Sequence, residues 1–128
     1  MDAHIGQRVV AFAKTFLGEP YSYRNFNCWH FIGTVYAECG VSMPRGTPIK
    51  PIIDFSDPNT IGELVFLRRK TDTRKLSHTH IAIYIGDGRV IHCTFYLGKA
   101  VVISTLEDIF AVYDIVEQPR FAIRVGGN

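Results

Sequence analysis

The chain has 128 residues, enough for one domain spanning residues 1–128 and too few for two well-packed ones. At 47% hydrophobic and 20% charged it sits near globular averages, which argues against a disordered tail or a low-complexity linker. Fourteen basic and twelve acidic side chains leave a net charge of +2, too little to mark a nucleic-acid-binding surface, and no apolar run approaches the roughly 18 residues needed to span a bilayer. The start, MDAHIGQRVVAFAKTF, is amphipathic with Arg8 and Lys14 inside it and lacks the parts of a signal peptide. It predicts synthesis as a soluble cytoplasmic domain, or export by a route that needs no such peptide. Three cysteines without a short repeated spacing speak against a disulfide scaffold and a zinc ribbon, and leave at least one free thiol.

In chain order, Ile5, Val9, Phe12, Ala13 and Phe16 recur at spacings of three and four, which predicts an amphipathic helix over residues 2–16. Gly18, Glu19 and Pro20 end it, and a polar, aromatic loop follows. A second helix is predicted to begin at Cys28 with Asn27 as its cap, turning Phe31, Ile32, Val35, Tyr36 and Cys39 inward, with Gly40 as the stop. Met43 to Pro58 holds four of the six prolines and reads as an irregular crossing. Strands are predicted at Glu63–Leu67, His80–Ile85, Arg89–Thr94, Ala100–Ser104 and Phe121–Val125, with Gly86-Asp87-Gly88 as a hairpin turn and Leu106–Tyr113 as a short helix or turn. Helices first and antiparallel strands afterwards make an α+β domain.

Cys28 stands where chemistry is expected. In the first turn of a capped helix, unpaired N–H groups and the helix dipole favour a thiolate, and the same groups can stabilise an oxyanion. His80 opens its strand on the face shared by Ala82 and Tyr84, and the return across the hairpin brings His92 beside it. A thiol with two such histidines forms a nucleophile, base and orienter set. On its position alone Cys28 fits a small buried core residue better than a nucleophile, and it is the two histidines that reverse that weighting; Cys39 and Cys93 are expected in the core. His78 shares the parity of His80 but falls in the loop before the strand, and His30 reads as an ordinary helix residue. Cys28, His78, His80, His92 and Cys93 could supply metal ligands, but His-Thr-His without a carboxylate or a close cysteine pair is not a zinc spacing, so neither metal nor cofactor is expected.

Three blocks resemble, in order, the NlpC-type family of papain-like cysteine peptidases, which cleave the peptide stems of bacterial murein. They are Gly18-Glu-Pro-Tyr21-Ser-Tyr23 with Asn27-Cys28-Trp29-His30-Phe31-Ile32 and Gly40-Val-Ser-Met-Pro44-Arg45; Gly62-Glu-Leu-Val-Phe-Leu67; and His80-Ile-Ala-Ile-Tyr-Ile-Gly-Asp-Gly-Arg-Val-Ile-His92. The resemblance implies a papain-like α+β fold with the nucleophile helix packed on an antiparallel sheet. It makes Cys28 the nucleophile, His80 the general base and acid, and His92 the residue orienting His80, with Tyr21 and Trp29 on the substrate side. The reaction implied is amide hydrolysis through a thioester, with murein peptide stems as substrate. The usual Asp-Cys-Ser-Gly is replaced by Asn27-Cys28-Trp29-His30, a departure on the substrate side. The Cys-Trp pair resembles a short subset found in phage tails and tail-like particles, which implies phage-tail or secretion-system proteins as partners. Two other readings stay open: an amidase or acyltransferase of the same fold, and a non-catalytic tail assembly module.

Overall fold

The computed structural model describes residues 1–42, 53–72 and 80–115. The strand expected at Phe121–Val125, His78, Pro44, Arg45 and the first part of the proline-rich crossing lie outside those residues. Helix α1 spans Ala3–Lys14, with the Asp2 carboxylate accepting from the N–H groups of His4 and Ile5. Helix α2 spans Cys28–Glu38 and is capped by Asn27; Cys39 closes it, and Gly40 follows at φ +70°, the left-handed conformation that releases a chain from a helix.

The strands β1 (Leu64–Arg69), β2 (His80–Gly86), β3 (Arg89–Thr94) and β4 (Ala100–Thr105) are each within two residues of their expected ends. Leu106–Val112 is a helix, α3, with the Thr105 hydroxyl accepting from the N–H of Asp108. A fifth strand, β5 (Tyr113–Ile115), was not expected, because three residues carry no readable alternation. The sheet is antiparallel in the order β4-β3-β2-β1-β5.

Strand alternation divides the core between the two faces of this sheet. Ile81, Ile83, Ile91 and Cys93 meet Val9, Ala13, Phe31, Ile32 and Val35 from α1 and α2 on one face. Ala82, Tyr84, Val90, Ile109 and Tyr113 form the other, with Ile53 and Phe55 packed against it. β2, in the middle, is buried along its whole length, which explains its near-continuous apolar sequence.

Helix α1 docks on the approach to β1 at two glycines. A Cβ on Gly6 would lie 2.2 Å from the carbonyl oxygen of Ile61, and one on Gly62, at φ +93°, would lie 2.7 Å from the Gly6 Cα. Tyr36 reinforces the same joint by donating its buried hydroxyl to the Gly62 carbonyl at 2.7 Å.

Candidate active site

The segment leading to Cys28 is held against the edge of the sheet. Gly18 N–H donates to Val101 O at 2.9 Å, Val101 N–H to Glu19 O at 2.9 Å, and Tyr21 N–H to Lys99 O at 2.9 Å, so residues 18–21 run alongside β4. A tight loop paired between Ser22 and Phe26 then delivers Asn27. The Asn27 side-chain oxygen accepts from the N–H groups of Trp29 (3.0 Å) and His30 (3.1 Å), while its amide donates to the Tyr23 carbonyl at 3.0 Å. His30 does more than an ordinary helix residue: its Nδ1 accepts from the Asn27 N–H at 3.1 Å and closes a capping box. The clue was its place three residues after the cap, where Glu or Gln usually returns this bond.

Cys28 therefore begins α2 as expected, but its thiol is not ionised by that position. The side chain is only 8% exposed, and burial pushes the thiol up to about 11; the backbone N–H groups of Ile81, Trp29 and Cys28 itself pull the other way and are outweighed. The expectation that the helix start favours a resting thiolate is corrected accordingly. A sulfur in this setting needs a base to take its proton as it attacks.

His80 begins β2 and is buried, with its ring stacked on Tyr113 at 4.8 Å between centroids and 15° between planes. Because the hairpin pairs Ile83 with Ile91, His80 and His92 share a face one diagonal step apart. That step brings His80 Nε2 to 2.7 Å from His92 Nδ1. His92 is fully buried, and its other nitrogen, Nε2, lies 2.9 Å from the Ser104 hydroxyl on β4. Burial lowers the His92 pKa to about 4, so this ring is neutral at pH 7. Neither Tyr113 nor Ser104 was singled out in the sequence. Ser104 left a trace, as a polar residue on the face of β4 that also carries Val102, the partner of His92.

Cys28 and His80 line one cavity of about 720 Å³, together with Tyr113 and four other aromatic residues, Tyr21, Tyr23, Phe95 and Tyr96. Its polar wall is Arg69, Thr71 and Asp72. The Arg69 guanidinium lies 4.0 Å above the Tyr96 ring and also bonds to the Tyr96 hydroxyl and, at 2.8 Å, to Thr71. Of the expected site residues, the cavity gathers Tyr21, Cys28 and His80, and His92 supports His80 from within the core. Trp29, expected on the substrate side, packs against the core between the helices and the sheet and is not among the residues lining the cavity. Cys39 and Cys93 are buried and do not line it either; Cys93 donates to the Phe26 carbonyl at 3.3 Å, and burial, with the neighbouring Cys28, pushes its thiol up to about 12. Among the described residues, no three or more His, Cys, Asp or Glu side chains are grouped to hold a metal ion.

Residues 18–117 match the model of the NlpC/P60 family. The chain is 33% identical over 87 residues to gamma-D-glutamyl-L-lysine dipeptidyl-peptidase of Bacillus cereus, covering 62% of this chain and 26% of that protein. It is 29% identical over 110 residues to gamma-DL-glutamyl hydrolase of Bacillus subtilis, covering 75% and 25%. The chain thus spans about a quarter of the length of these curated relatives. Among solved structures, the NlpC/p60 domain of the peptidoglycan hydrolase SagA superposes with a TM-score of 0.62 at 24% identity, over 89% of this chain and 98% of that one, a likeness of fold. With the matched region running from the loop before Cys28 through all five strands of the described residues, the chain belongs to the NlpC/P60 family.

Proposed function

We propose that this chain is a cysteine peptidase that hydrolyses a γ-D-glutamyl amide bond in the peptide stem of murein through a thioester. The observation that carries this reading is the shared cavity of Cys28 and His80, with His80 Nε2 held 2.7 Å from His92. When His80 Nε2 carries its proton toward His92, the lone pair of the ring is on Nδ1, the nitrogen that takes the thiol proton. Cys28 Sγ then adds to the γ-carbonyl carbon, and the N–H groups at the start of α2 stabilise the oxyanion. Collapse of that adduct breaks the C–N bond, the amine leaves with the proton from His80, and the acyl group remains on sulfur. Water, deprotonated by the same ring, hydrolyses the thioester. The names of the two relatives, both hydrolases of γ-glutamyl bonds, support the choice of bond.

Incubation with purified murein peptides, read by mass spectrometry, tests the reading. The expected products are a peptide ending in D-glutamate and one with a newly free amine on the next residue, absent with Cys28→Ala. Transfer of the acyl group to an added amine in place of water would move the assignment to the acyltransferase reading. A folded protein that leaves every γ-D-glutamyl bond intact would remove the peptidase.

A further inference from the structure

A histidine that orients another histidine poses a problem that a carboxylate or an amide does not. Its two nitrogens exchange roles, and only one arrangement is useful here. While His80 is neutral, the pair is satisfied in either direction: His80 Nε2–H can donate to His92 Nδ1, or His92 Nδ1–H can donate to His80 Nε2. Once His80 has taken the thiol proton it carries hydrogen on both nitrogens, and His92 Nδ1 must then be the acceptor. A neutral His92 that accepts at Nδ1 carries its own hydrogen on Nε2. That hydrogen points into a fully buried setting, where a donor without an acceptor is costly. The atom that meets it is Ser104 Oγ, at 2.9 Å.

Resting on the hydrolase reading above, we propose that Ser104 is a positioning residue: by accepting from His92 Nε2–H it sets the His92 tautomer that allows His80 to become an imidazolium. The placement is built into the sheet. β3 and β4 pair His92 with Val102, so Ser104 lies one diagonal step along on the same face and reaches Nε2 from the strand opposite to the one that carries His80. Ser104 is 8% exposed and does not line the cavity, so it acts through His92 and does not touch substrate. Burial also keeps His92 neutral at pH 7, which confines it to one hydrogen and makes the position of that hydrogen matter. In the reverse arrangement His92 Nδ1–H would face His80, whose Nδ1 would carry the proton and could not take another from sulfur.

Nitrogen-15 NMR of histidine-labelled protein tests this without substrate, and kinetics on the γ-D-glutamyl peptide tests it with one. In the wild type, His92 is expected to show a protonated Nε2 and an unprotonated Nδ1. In Ser104→Ala the two tautomers should mix, and kcat should fall about tenfold, the rate equivalent of one neutral hydrogen bond, with KM within about twofold because no substrate contact is lost. Ser104→Thr keeps the hydroxyl and should recover most of the lost rate and the single tautomer. A wild-type His92 protonated at Nδ1, or Ser104→Ala with unchanged tautomer and kcat, overturns the proposal. If no γ-D-glutamyl substrate is turned over at all, the hydrolase reading fails, while the wild-type nitrogen shifts still decide which way the Ser104 bond runs. Should Ser104→Ala not fold, those shifts and the Thr variant decide it.

Discussion

The neutrality of His92 makes the fold sensitive to acid in a way that can be measured. In the unfolded chain a histidine takes its proton at the ordinary value of 6.5; in the folded one, burial holds His92 to about 4. Between these values the unfolded state binds the extra proton, so stability is lost as the pH falls through that window and is complete above about pH 7. A separation of this size corresponds to about 3 kcal/mol, falling by about 1.4 kcal/mol per pH unit inside the window. The perturbation is His92→Gln, which keeps polar atoms near Ser104 and His80 but cannot be protonated there. Unfolding by denaturant at intervals from pH 7.5 to pH 4, on both proteins, isolates the effect, because the carboxylates and other histidines are common to both. The wild type should lose about 3 kcal/mol more than His92→Gln on going from pH 7 to pH 4. Repeating the comparison with His80 replaced by Gln removes any contribution from the partner ring. Parallel stability curves for the two proteins would refute the reasoning, and with it the claim that His92 is held neutral by burial.

Three further outcomes follow from the same geometry. Cys28→Ala and His80→Ala should each abolish turnover, whereas His92→Gln should turn over faster than His92→Ala, its activation free energy lower by about 1.5–3 kcal/mol, roughly ten- to hundredfold in kcat, with folding checked by circular dichroism. Iodoacetamide should label Cys28 before Cys39 and Cys93, because it alone of the three lines the cavity, and its rate should still be climbing above pH 9, as a thiol pushed up to about 11 requires; a plateau below pH 8 on peptide mapping would contradict that. Gly6→Ala should destabilise by about 1–3 kcal/mol through the clash with Ile61 O, while Gly33→Ala, in the middle of α2 with open space around its Cβ, should stabilise by about 0.5–1 kcal/mol, both read as shifts of the unfolding midpoint.

The parts legible in the sequence are those set by local periodicity. α1, α2 and β1 to β4 follow from spacings of three and four or of two, and from an asparagine or a glycine at their ends. The His80–His92 pair was legible from strand parity across Gly86-Asp87-Gly88, but the structure reaches it by another route: Gly86 pairs with Arg89, which alone would part the two rings, and an irregularity between Tyr84 and Gly86 returns His92 to the face of His80. What escaped depends on where one element lands on another. Tyr113 meets His80 only because β5 joins the sheet beside β1, at Arg69, and nothing in residues 113–115 announces a strand. Ser104 required the β3–β4 register, which no motif supplies. Trp29 and His30 were read through their neighbour Cys28, yet a helix turns by about 100° per residue, so adjacent side chains face different surroundings. The thiol shows the same limit in electrostatic form. The helix-start N–H groups can be foreseen from Asn27, but the extent of burial that overrides them is a tertiary quantity.

The two groups proposed to react also come from opposite layers of the molecule. Cys28 belongs to the helical side, with Phe31 and Ile81, and His80 rests on Tyr113 on the far side of the sheet. Reactivity thus requires both layers to be docked. In an unfolded chain the thiol sits at its ordinary value near 9; once folded it is pushed up to about 11, so at pH 7 its reactivity depends on a neighbouring base taking its proton. On the proposed mechanism a molecule with either layer undocked would be silent toward amides, so hydrolysis would itself report that both halves of the core are in place.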